Sequence, residues 1–426
     1  MKIAFYTLGC KVNQYESQAM SEKMAANGFE VVAPDEDSDI YVINSCTVTA
    51  ESDRKTRQAV RKFKRNHPES IVVLTGCMPQ AFPQDAEKLE QADIVLGNKN
   101  NYKLLDLIKQ YFGCGQRIID IEDHQTGDKF TGNVISGFDR RTRAIVKIED
   151  GCNRFCSYCI IPYSRGRVRS KPIDELREEL EQLSEAGYAE AVLVGINLSA
   201  YGIDIGLSIC DAVELAAGMK FQRVRLGSLE PDHITDEVIA RLAKIEKFCP
   251  QFHISLQSGC DNTLKAMNRH YTSAEYAELC EKLRKNFSGA TITTDIMVGF
   301  PTESEEDFAE NVRFAQKIGF EKVHVFPYSP REGTKAAKMP QIEKSVKENR
   351  SHIMIEKTEE IRKNFLESQI GKAVDVLFET RHSDSFVEGY TKNYTPVKVK
   401  GELPCGEISK VKITAVDGDF CVGEKI

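Results

Sequence analysis

Residues 149–170 read EDGCNRFCSYCIIPYSRGRVRS, and the run Cys152-x3-Cys156-x2-Cys159 inside it decides how the rest of the chain is read. Three thiolates on one short loop can wrap a cubane iron–sulfur cluster of four irons, which takes cysteine sulfur as its usual protein ligand. Three local cysteines leave one iron without a protein ligand, and an open iron can bind and reduce a small molecule. A structural zinc site or buried thiols are the bland alternatives. Structural zinc wants four protein ligands, and no fourth Cys or His lies nearby in the sequence.

The chain around this loop has 426 residues, enough for about three domains, and 41% hydrophobic residues allow a sizeable core. No run of 18 apolar residues is present, and Met1 leads directly into the strand-like Lys2–Thr7. The expectation is therefore no signal peptide, no membrane and a cytoplasmic protein. In that reducing compartment the 13 cysteines favour metal or catalytic roles over disulfides. A net charge of −7 argues against indiscriminate coating of nucleic acid. Local patches differ: Arg140, Arg141, Arg143, Lys147, Arg154, Arg165, Arg167, Arg169 and Lys171 face only Glu149 and Asp150. A second patch, Glu51 to Arg65, carries seven basic residues against two acidic ones. Such runs are commonly solvated faces, but both follow or enclose cysteine loops, which points to an anionic substrate.

Upstream, residues 1–135 alternate strand-like runs (KIAFYT, DIYVIN, SIVVLT, DIVLG) with helical stretches at 14–27, 51–66 and 80–91. Alternation of this kind predicts an α/β fold with a doubly wound parallel sheet. Cys10, Cys46 and Cys77 each fall two or three residues beyond a strand. Strand carboxyl ends share one edge of such a sheet, so the three converge and suggest a second three-cysteine cluster. Gly9 and Gly76 would let the backbone approach it closely; the alternative is three separately buried thiols.

Downstream, residues 136–366 repeat strand then helix six times, too few to close an eight-fold barrel. The strands expected are Ala144–Ile148, Ala191–Val194, Arg223–Leu226, Phe252–Ser255, Thr291–Val298 and Lys322–Phe326. Helices are expected where apolar residues recur at helical spacing, as at Leu176, Leu180 and Leu183 and in 234–246, 261–286 and 304–318. The cysteine loop follows the first strand of this partial (βα)6 TIM-like barrel. Gly195, Asn197, Ser228, Glu230, Gln257, Asp295 and Gly299 fall along or after later strands, as a set that fits a nucleoside-containing ligand. A charged helical stretch, 343–366, leads to residues 367–426, where five short alternating runs separated by turns predict a small closed all-β barrel. Val397 and Val399 should face inward there, and Lys398 and Lys400 outward.

The cysteine loop, with Tyr158 before its third cysteine, resembles the signature of the radical S-adenosylmethionine enzymes. The three segments together resemble the methylthiotransferases of that superfamily. TLGCKVNQYES (7–17), NSCTVTAESDRKTRQ (44–58), GINLSAYG (195–202) and HVFPYSPREGT (324–334) are most like its threonylcarbamoyladenosine (MtaB-type) branch. The resemblance implies three domains: 1–135 with an auxiliary cluster, a radical core at 136–366, and an RNA-binding TRAM domain at 367–426. It implies two [4Fe–4S] clusters, the catalytic one on Cys152, Cys156 and Cys159 and the other on Cys10, Cys46 and Cys77. S-adenosyl-L-methionine would lie beside Tyr158 and the rim residues above. The implied reaction is methylthiolation of adenine C2 in N6-threonylcarbamoyladenosine at tRNA position 37. A 5′-deoxyadenosyl radical takes the hydrogen, and sulfur held at the auxiliary cluster, methylated by a second S-adenosylmethionine, joins the carbon.

Partners implied are the tRNA anticodon loop, an electron donor such as flavodoxin or ferredoxin, and a sulfur source. The substrate's carboxylate calls for a cation, and Arg165, Arg167 or Arg331 could serve. The isopentenyladenosine (MiaB-type) branch, the ribosomal-aspartate branch and a non-enzymatic RNA-binding iron–sulfur protein stay as alternatives.

Overall fold

The Ile- and Val-rich runs of the first 120 residues form one parallel sheet in the computed structural model, which describes every residue except 133, 138–141 and 383–385. Its elements are β1 (Lys2–Thr7), α1 (Lys11–Ala26), β2 (Glu30–Val32), β3 (Ile40–Ser45), α2 (Ala50–Asn66), β4 (Ile71–Gly76), α3 (Cys77–Ala81), α4 (Pro83–Glu87), β5 (Ile94–Leu96), α5 (Leu104–Cys114) and β6 (Ile118–Asp120). Strand order is β2-β1-β3-β4-β5-β6, with every pair parallel. Met20 and Met24 of α1 and Leu104 and Ile108 of α5 pack with Ile3, Val42 and Val73. Val60 and Phe63 of α2 and Met78 of α3 pack with Ala4, Tyr41, Ile43 and Val72. The two clusters take alternate strand residues, so both faces are covered, as a doubly wound sheet requires. That double cover explains why β3 and β4 are buried throughout rather than alternating.

The helix expected at 80–91 is instead α3 and α4, split at Phe82 with Pro83 opening α4. Proline lacks the N–H and fixes φ, so it starts a helix well but cannot continue one. Gly76, between β4 and α3, has φ +97, and a Cβ there would lie 2.5 Å from Asn44 Oδ1 and from Ser45 N and O. Gly76→Ala is therefore expected to destabilise the folded chain by about 2–4 kcal/mol. Denaturant unfolding checks this; an unchanged midpoint would mean that the β3 and β4 ends part freely.

The chain divides into two compact units. The first joins Met1–Ser136 to Lys147–Pro172 and Ser329–Lys338. Beyond β7 (Arg143–Lys147), β8 (Glu149–Asp150) pairs antiparallel with β9 (Arg169–Ser170), and α6 (Ile161–Arg165) lies between them in sequence.

The second unit holds Gly137–Val146, Ile173–Tyr328 and Met339–Ile426. After β7 come α7 (Ile173–Glu185), β10 (Glu190–Val194), α8 (Ile209–Gly218), β11 (Arg223–Leu226), β12 (Ser228–Leu229), α9 (Asp236–Leu242), β13 (Gln251–Ile254), α10 (Asp261–Ala266), α11 (Ser273–Asn286), β14 (Thr291–Val298), α12 (Glu305–Ile318) and β15 (Lys322–Pro327). They form two open sheets, β11-β10-β7 and β12-β13-β14-β15. Only Gly227 separates β11 from β12, so the third expected strand is broken in two, and the six-strand partial barrel stands. Strands expected at Ala144–Ile148 and Phe252–Ser255 lie one residue earlier, at Arg143–Lys147 and Gln251–Ile254. The single helix expected at 261–286 is two: Asn268 has φ +60, and a capping box of Thr272 and Glu275 starts a new helix.

α13 (Lys344–Glu367) leads into β16 (Ala373–Arg381), β17 (Phe386–Thr391), β18 (Pro396–Lys400), β19 (Ile408–Asp417) and β20 (Phe420–Lys425), a closed barrel in the order β16-β17-β18-β20-β19. Val397, Val399, Val411 and Ile413 fill its core while Lys400, Lys410 and Lys412 are exposed. The period-two expectation holds there. No described helix is long and apolar enough to cross a membrane.

Candidate iron–sulfur and substrate site

Cys10 is the N-cap of α1, Cys46 directly follows β3, and Cys77 is the first residue of α3 after β4. Since β1, β3 and β4 are adjacent, the three thiols lie at neighbouring strand ends, on the edge the spacing indicated. A Cβ on Gly9 would stand 2.8 Å from Cys46 Cβ and 3.3 Å from its Sγ. Glycine there opens a close approach that any side chain would fill. Burial, then the nearby Cys77 and Cys10, push the Cys46 thiol up to about 11. Buried thiols so placed ionise together only where a cation offsets their charge.

The second trio sits on a loop whose neck is closed by the β8–β9 pair and by Cys152 N donating to Gly166 O at 3.0 Å. Gly151 is obligatory at this neck: φ is +87, and a Cβ would lie 2.0 Å from Arg167 O. Phe155 takes a left-handed φ of +49 between Cys152 and Cys156, and Cys159 N donates to Cys156 O at 3.0 Å. Ser157 O accepts from Ala336 N at 2.8 Å. Cys156 is buried, whereas Cys152, Tyr158 and Cys159 are half-buried. A short loop of three sulfur donors, with its main chain fixed from two sides, suits a cluster better than tetrahedral zinc.

Both trios belong to the first unit, and Arg165, six residues beyond Cys159, reaches Cys77 of the other trio. This fully buried side chain donates from Nε to Cys77 Sγ at 3.3 Å, and from its terminal nitrogens to Glu16 Oε1 at 2.5 Å, Glu16 Oε2 at 3.0 Å and Asn13 Oδ1 at 3.2 Å. Asn13 Oδ1 also accepts from Cys10 Sγ at 3.2 Å. Lys147 Nζ reaches Glu16 Oε1 at 2.8 Å and Asp150 Oδ2 at 2.7 Å, and Arg169 lies 3.4 Å from Asp150. Burial alone would raise the Asp150 carboxyl, but Lys147, Arg165 and Arg169 outweigh it and hold it well below the usual carboxylate range. Three cations meet two carboxylates, leaving a positive surplus beside sulfurs that would carry negative charge. Ser164 Oγ donates to Cys77 O at 3.2 Å, seating α6 on α3.

This network overturns the reading of 140–171 as one substrate-facing patch. Lys147, Arg165, Arg169 and Lys171 are buried, and Arg143 pairs with Glu379 at 2.8 Å. Arg140 and Arg141 lie outside the described residues. Arg331 is also buried, bound to Asp53 Oδ2 at 2.5 Å and Thr47 Oγ1 at 2.8 Å, and stacked on Phe82. Of the three arginines that could hold a substrate carboxylate, only Arg167 is exposed. By contrast the face of α2 carrying Arg54, Lys55, Arg61, Lys62 and Arg65 is exposed.

In the second unit, Gly195 follows β10 and Asn197 caps a short 3-10 turn at Leu198–Ala200. Ser228 is exposed at the start of β12. The Glu230 carboxylate is held by both terminal nitrogens of Arg269, while Glu230 N donates to Ser199 Oγ at 2.7 Å. Gln257, at φ +66, bridges to β14 through its N–H to Asp295 O (2.9 Å) and its carbonyl to Met297 N (2.8 Å). Gly299, at φ +69, donates to Glu303 Oε1 at 2.8 Å. Asp295 Oδ2 lies 3.2 Å from His253 Nε2, and His324 joins them with ligand atoms all within 4.8 Å. Such a set can share a proton or hold one cation. The sequence reading missed Arg269, His253, His324, Asn13 and Glu16; period-two spacing put His253 on the face of its strand opposite to Phe252, which was the one available signal.

The remaining seven cysteines, including Cys260 bonded to Asp307 Oδ1 at 3.1 Å, make no trio of this kind, and no disulfide joins the described cysteines.

Three family models match the chain: an uncharacterized protein family, UPF0004, at residues 2–97, the radical SAM superfamily at 146–315, and the TRAM domain at 367–426. The chain is 37% identical over 422 residues to threonylcarbamoyladenosine tRNA methylthiotransferase MtaB of Bacillus subtilis (strain 168), covering 96% of this chain and 93% of the relative. It is 36% identical over 420 residues to the protein of that name from Aquifex aeolicus (strain VF5), covering 97% and 100%. Among solved structures, the radical S-adenosylmethionine methyltransferase TsrM from Kitasatospora setae, solved with cobalamin and an iron–sulfur cluster, superposes with a TM-score of 0.56. It shares 13% identity and covers 79% of this chain and 77% of that one, a likeness of fold alone. With near-complete coverage by relatives above 30% identity, and a radical SAM match at 146–315, the chain belongs to the tRNA methylthiotransferases of the radical S-adenosylmethionine superfamily.

Proposed function

We propose that this enzyme methylthiolates C2 of N6-threonylcarbamoyladenosine at tRNA position 37, giving 2-methylthio-N6-threonylcarbamoyladenosine. The observation that carries the reading is Arg165, which ties Cys77 of one trio to the loop of the other within a single compact unit. Cys152, Cys156 and Cys159 would hold a cluster with an open iron, and Cys10, Cys46 and Cys77 a second. When bound, an open-iron cluster supplies the electron that splits S-adenosylmethionine into methionine and a carbon radical able to take hydrogen from an unactivated carbon.

The chain's own residues bind, orient and shield. Tyr158, Gly195, Asn197, Ser228, Glu230, Gln257, Asp295 and Gly299 are the candidates to hold S-adenosylmethionine. Arg269 fixes the Glu230 carboxylate in one orientation, and His253 does the same for Asp295. Boundaries near 135 and 366 would separate the sulfur-holding, radical and RNA-holding domains. A flavodoxin or ferredoxin would supply electrons in the cytoplasm, and a separate source the sulfur. Nucleoside mass analysis of tRNA from cells lacking the protein tests the substrate. The methylthio-threonylcarbamoyl nucleoside should vanish; its persistence with no second enzyme present would overturn the assignment, and loss of a methylthio-isopentenyl nucleoside instead would move it to the other branch.

The exposed face of α2 is expected to contact tRNA phosphates. Changing Arg61, Lys62 and Arg65 together to alanine should weaken tRNA binding about 10- to 100-fold and flatten log Kd against log salt by about two units. An unaltered salt slope would return α2 to the status of a solvated face.

A further inference from the structure

A cavity of about 430 Å³ lies beside the cysteine loop within the first unit, lined by Phe155, Tyr163, Arg167, His124, Gln80 and Asp123 among others. Its size falls in the range of pockets for small organic ligands, about 300–1,000 Å³. Arg167 is exposed and makes no ion pair among the described residues, whereas Arg165 and Arg169 on either side of it are buried in the charge network. Its guanidinium lies over the Phe155 ring, 4.5 Å from the centroid. Phe155 meets Tyr163 edge to face at 5.9 Å, and Tyr163 is 56% exposed, so much of its ring is open to solvent.

The His124 part of the lining is fixed by hydrogen bonds. Asn98 donates its amide to Ser164 O at 2.8 Å, which leaves its Oδ1 to accept from His124 Nε2 at 3.0 Å. Burial first, then the Arg169 charge, push the His124 imidazole down to about 4, so it is neutral at physiological pH. Gly166 admits the ring, since a Cβ there would stand 2.9 Å from His124 Cβ and Cγ. Asp123, the single acid in the lining, is exposed, where water screens its charge.

A free guanidinium beside two aromatic rings, over a neutral polar floor, is the set that takes one unpaired nucleotide: cation to phosphate, ring to base. We propose that this cavity holds a nucleotide of the anticodon loop flanking the modified adenosine, with its phosphate on Arg167 and its base against Tyr163. This rests on the tRNA reading above and deepens it. Because Phe155 lies inside the Cys152–Cys159 loop, an occupied cavity would register the RNA directly against the cysteine loop. It also gives Arg167 a role other than grasping the threonylcarbamoyl carboxylate.

The test uses the full chain with reconstituted clusters and two anticodon stem-loop RNAs, one with threonylcarbamoyladenosine at position 37 and one with plain adenosine. Binding is followed by fluorescence anisotropy across a salt series, with iron content and thermal midpoint as controls of folding. Arg167→Ala should weaken both RNAs about 10-fold and flatten the salt dependence by about one unit. Tyr163→Ala should weaken both about 5- to 100-fold, while Tyr163→Phe keeps the ring and the affinity. Variants with normal iron and midpoint that bind both RNAs like the parent would overturn the proposal. So would an Arg167→Ala loss confined to the modified RNA, which would assign that guanidinium to the carboxylate instead. If the parent chain binds neither RNA, the tRNA reading itself fails and the cavity proposal falls with it.

Discussion

Cys156→Ala is expected to abolish 5′-deoxyadenosine formation from S-adenosylmethionine, and with it every trace of methylthiolated nucleoside. Cys46→Ala is expected to separate the two products: methylthiolation should fall below detection while 5′-deoxyadenosine is still released. The reasoning is positional. Cys156 lies in the loop pinned by the β8–β9 pair and by Ala336, and it is the most buried thiol of its trio. Cys46 sits at the carboxyl end of β3, apart from that loop in sequence, with its thiol raised by burial and by Cys77 and Cys10. Anaerobic iron counting should give about eight irons for the parent chain and about four for a Cys10, Cys46 and Cys77 triple alanine variant. A triple variant that retains all its iron, or a Cys46→Ala enzyme with full methylthiolation, would remove the second cluster from the scheme.

Arg165→Leu should be nearly as damaging, although this side chain touches no substrate. It leaves Glu16 and Asp150 buried with Lys147 and Arg169 as their remaining cations, and it leaves Cys77 Sγ only the longer contact from Asn98 Nδ2 at 3.9 Å among the described residues. Removing one partner from a buried ionic network costs about 3–5 kcal/mol. Both carboxyls are held below their ordinary range in the folded chain, Glu16 chiefly by Arg165 and Lys147 once burial is overcome. Stability from such groups is complete above the unfolded carboxyl pKa of about 4 and fades as pH falls below it. The parent chain should therefore lose stability on acidification more steeply than Arg165→Leu does. Arg165→Lys, which keeps the charge without the fork, should recover part of the stability but not the simultaneous grip on Glu16, Asn13 and Cys77. Superimposed acid-unfolding curves for parent and Arg165→Leu would show that Arg165 contributes nothing to the fold.

The fold was legible because its signals are local and periodic. Short apolar runs marked β1, β3 and β4, and alternation of Val397, Lys398 and Val399 marked the small barrel. The breaks that escaped notice are equally local: Pro83, and the left-handed Asn268 followed by Thr272 and Glu275. The placement of Cys10, Cys46 and Cys77 could be read because each lies within three residues of a strand end. The charge network could not. Arg165, Lys147, Glu16 and Asp150 come from four elements, and only the fold shows that a run resembling a solvated basic face is mostly interior. The same limit hid His253 and His324, whose partner Asp295 lies on a different strand.

The first unit is assembled from three stretches of chain, and its last piece, Ser329–Lys338, supplies Arg331 to Asp53 and Thr47 and Ala336 to Ser157. During synthesis on the ribosome, the nascent amino-terminal sheet and the cysteine loop, complete at Pro172, must wait for roughly 160 further residues before these clasps arrive. Until then Asp53 is an uncompensated acid and the loop lacks one of its anchors. Iron loaded before that moment would rest on an unfinished cradle, which favours metal delivery after the chain has passed residue 338.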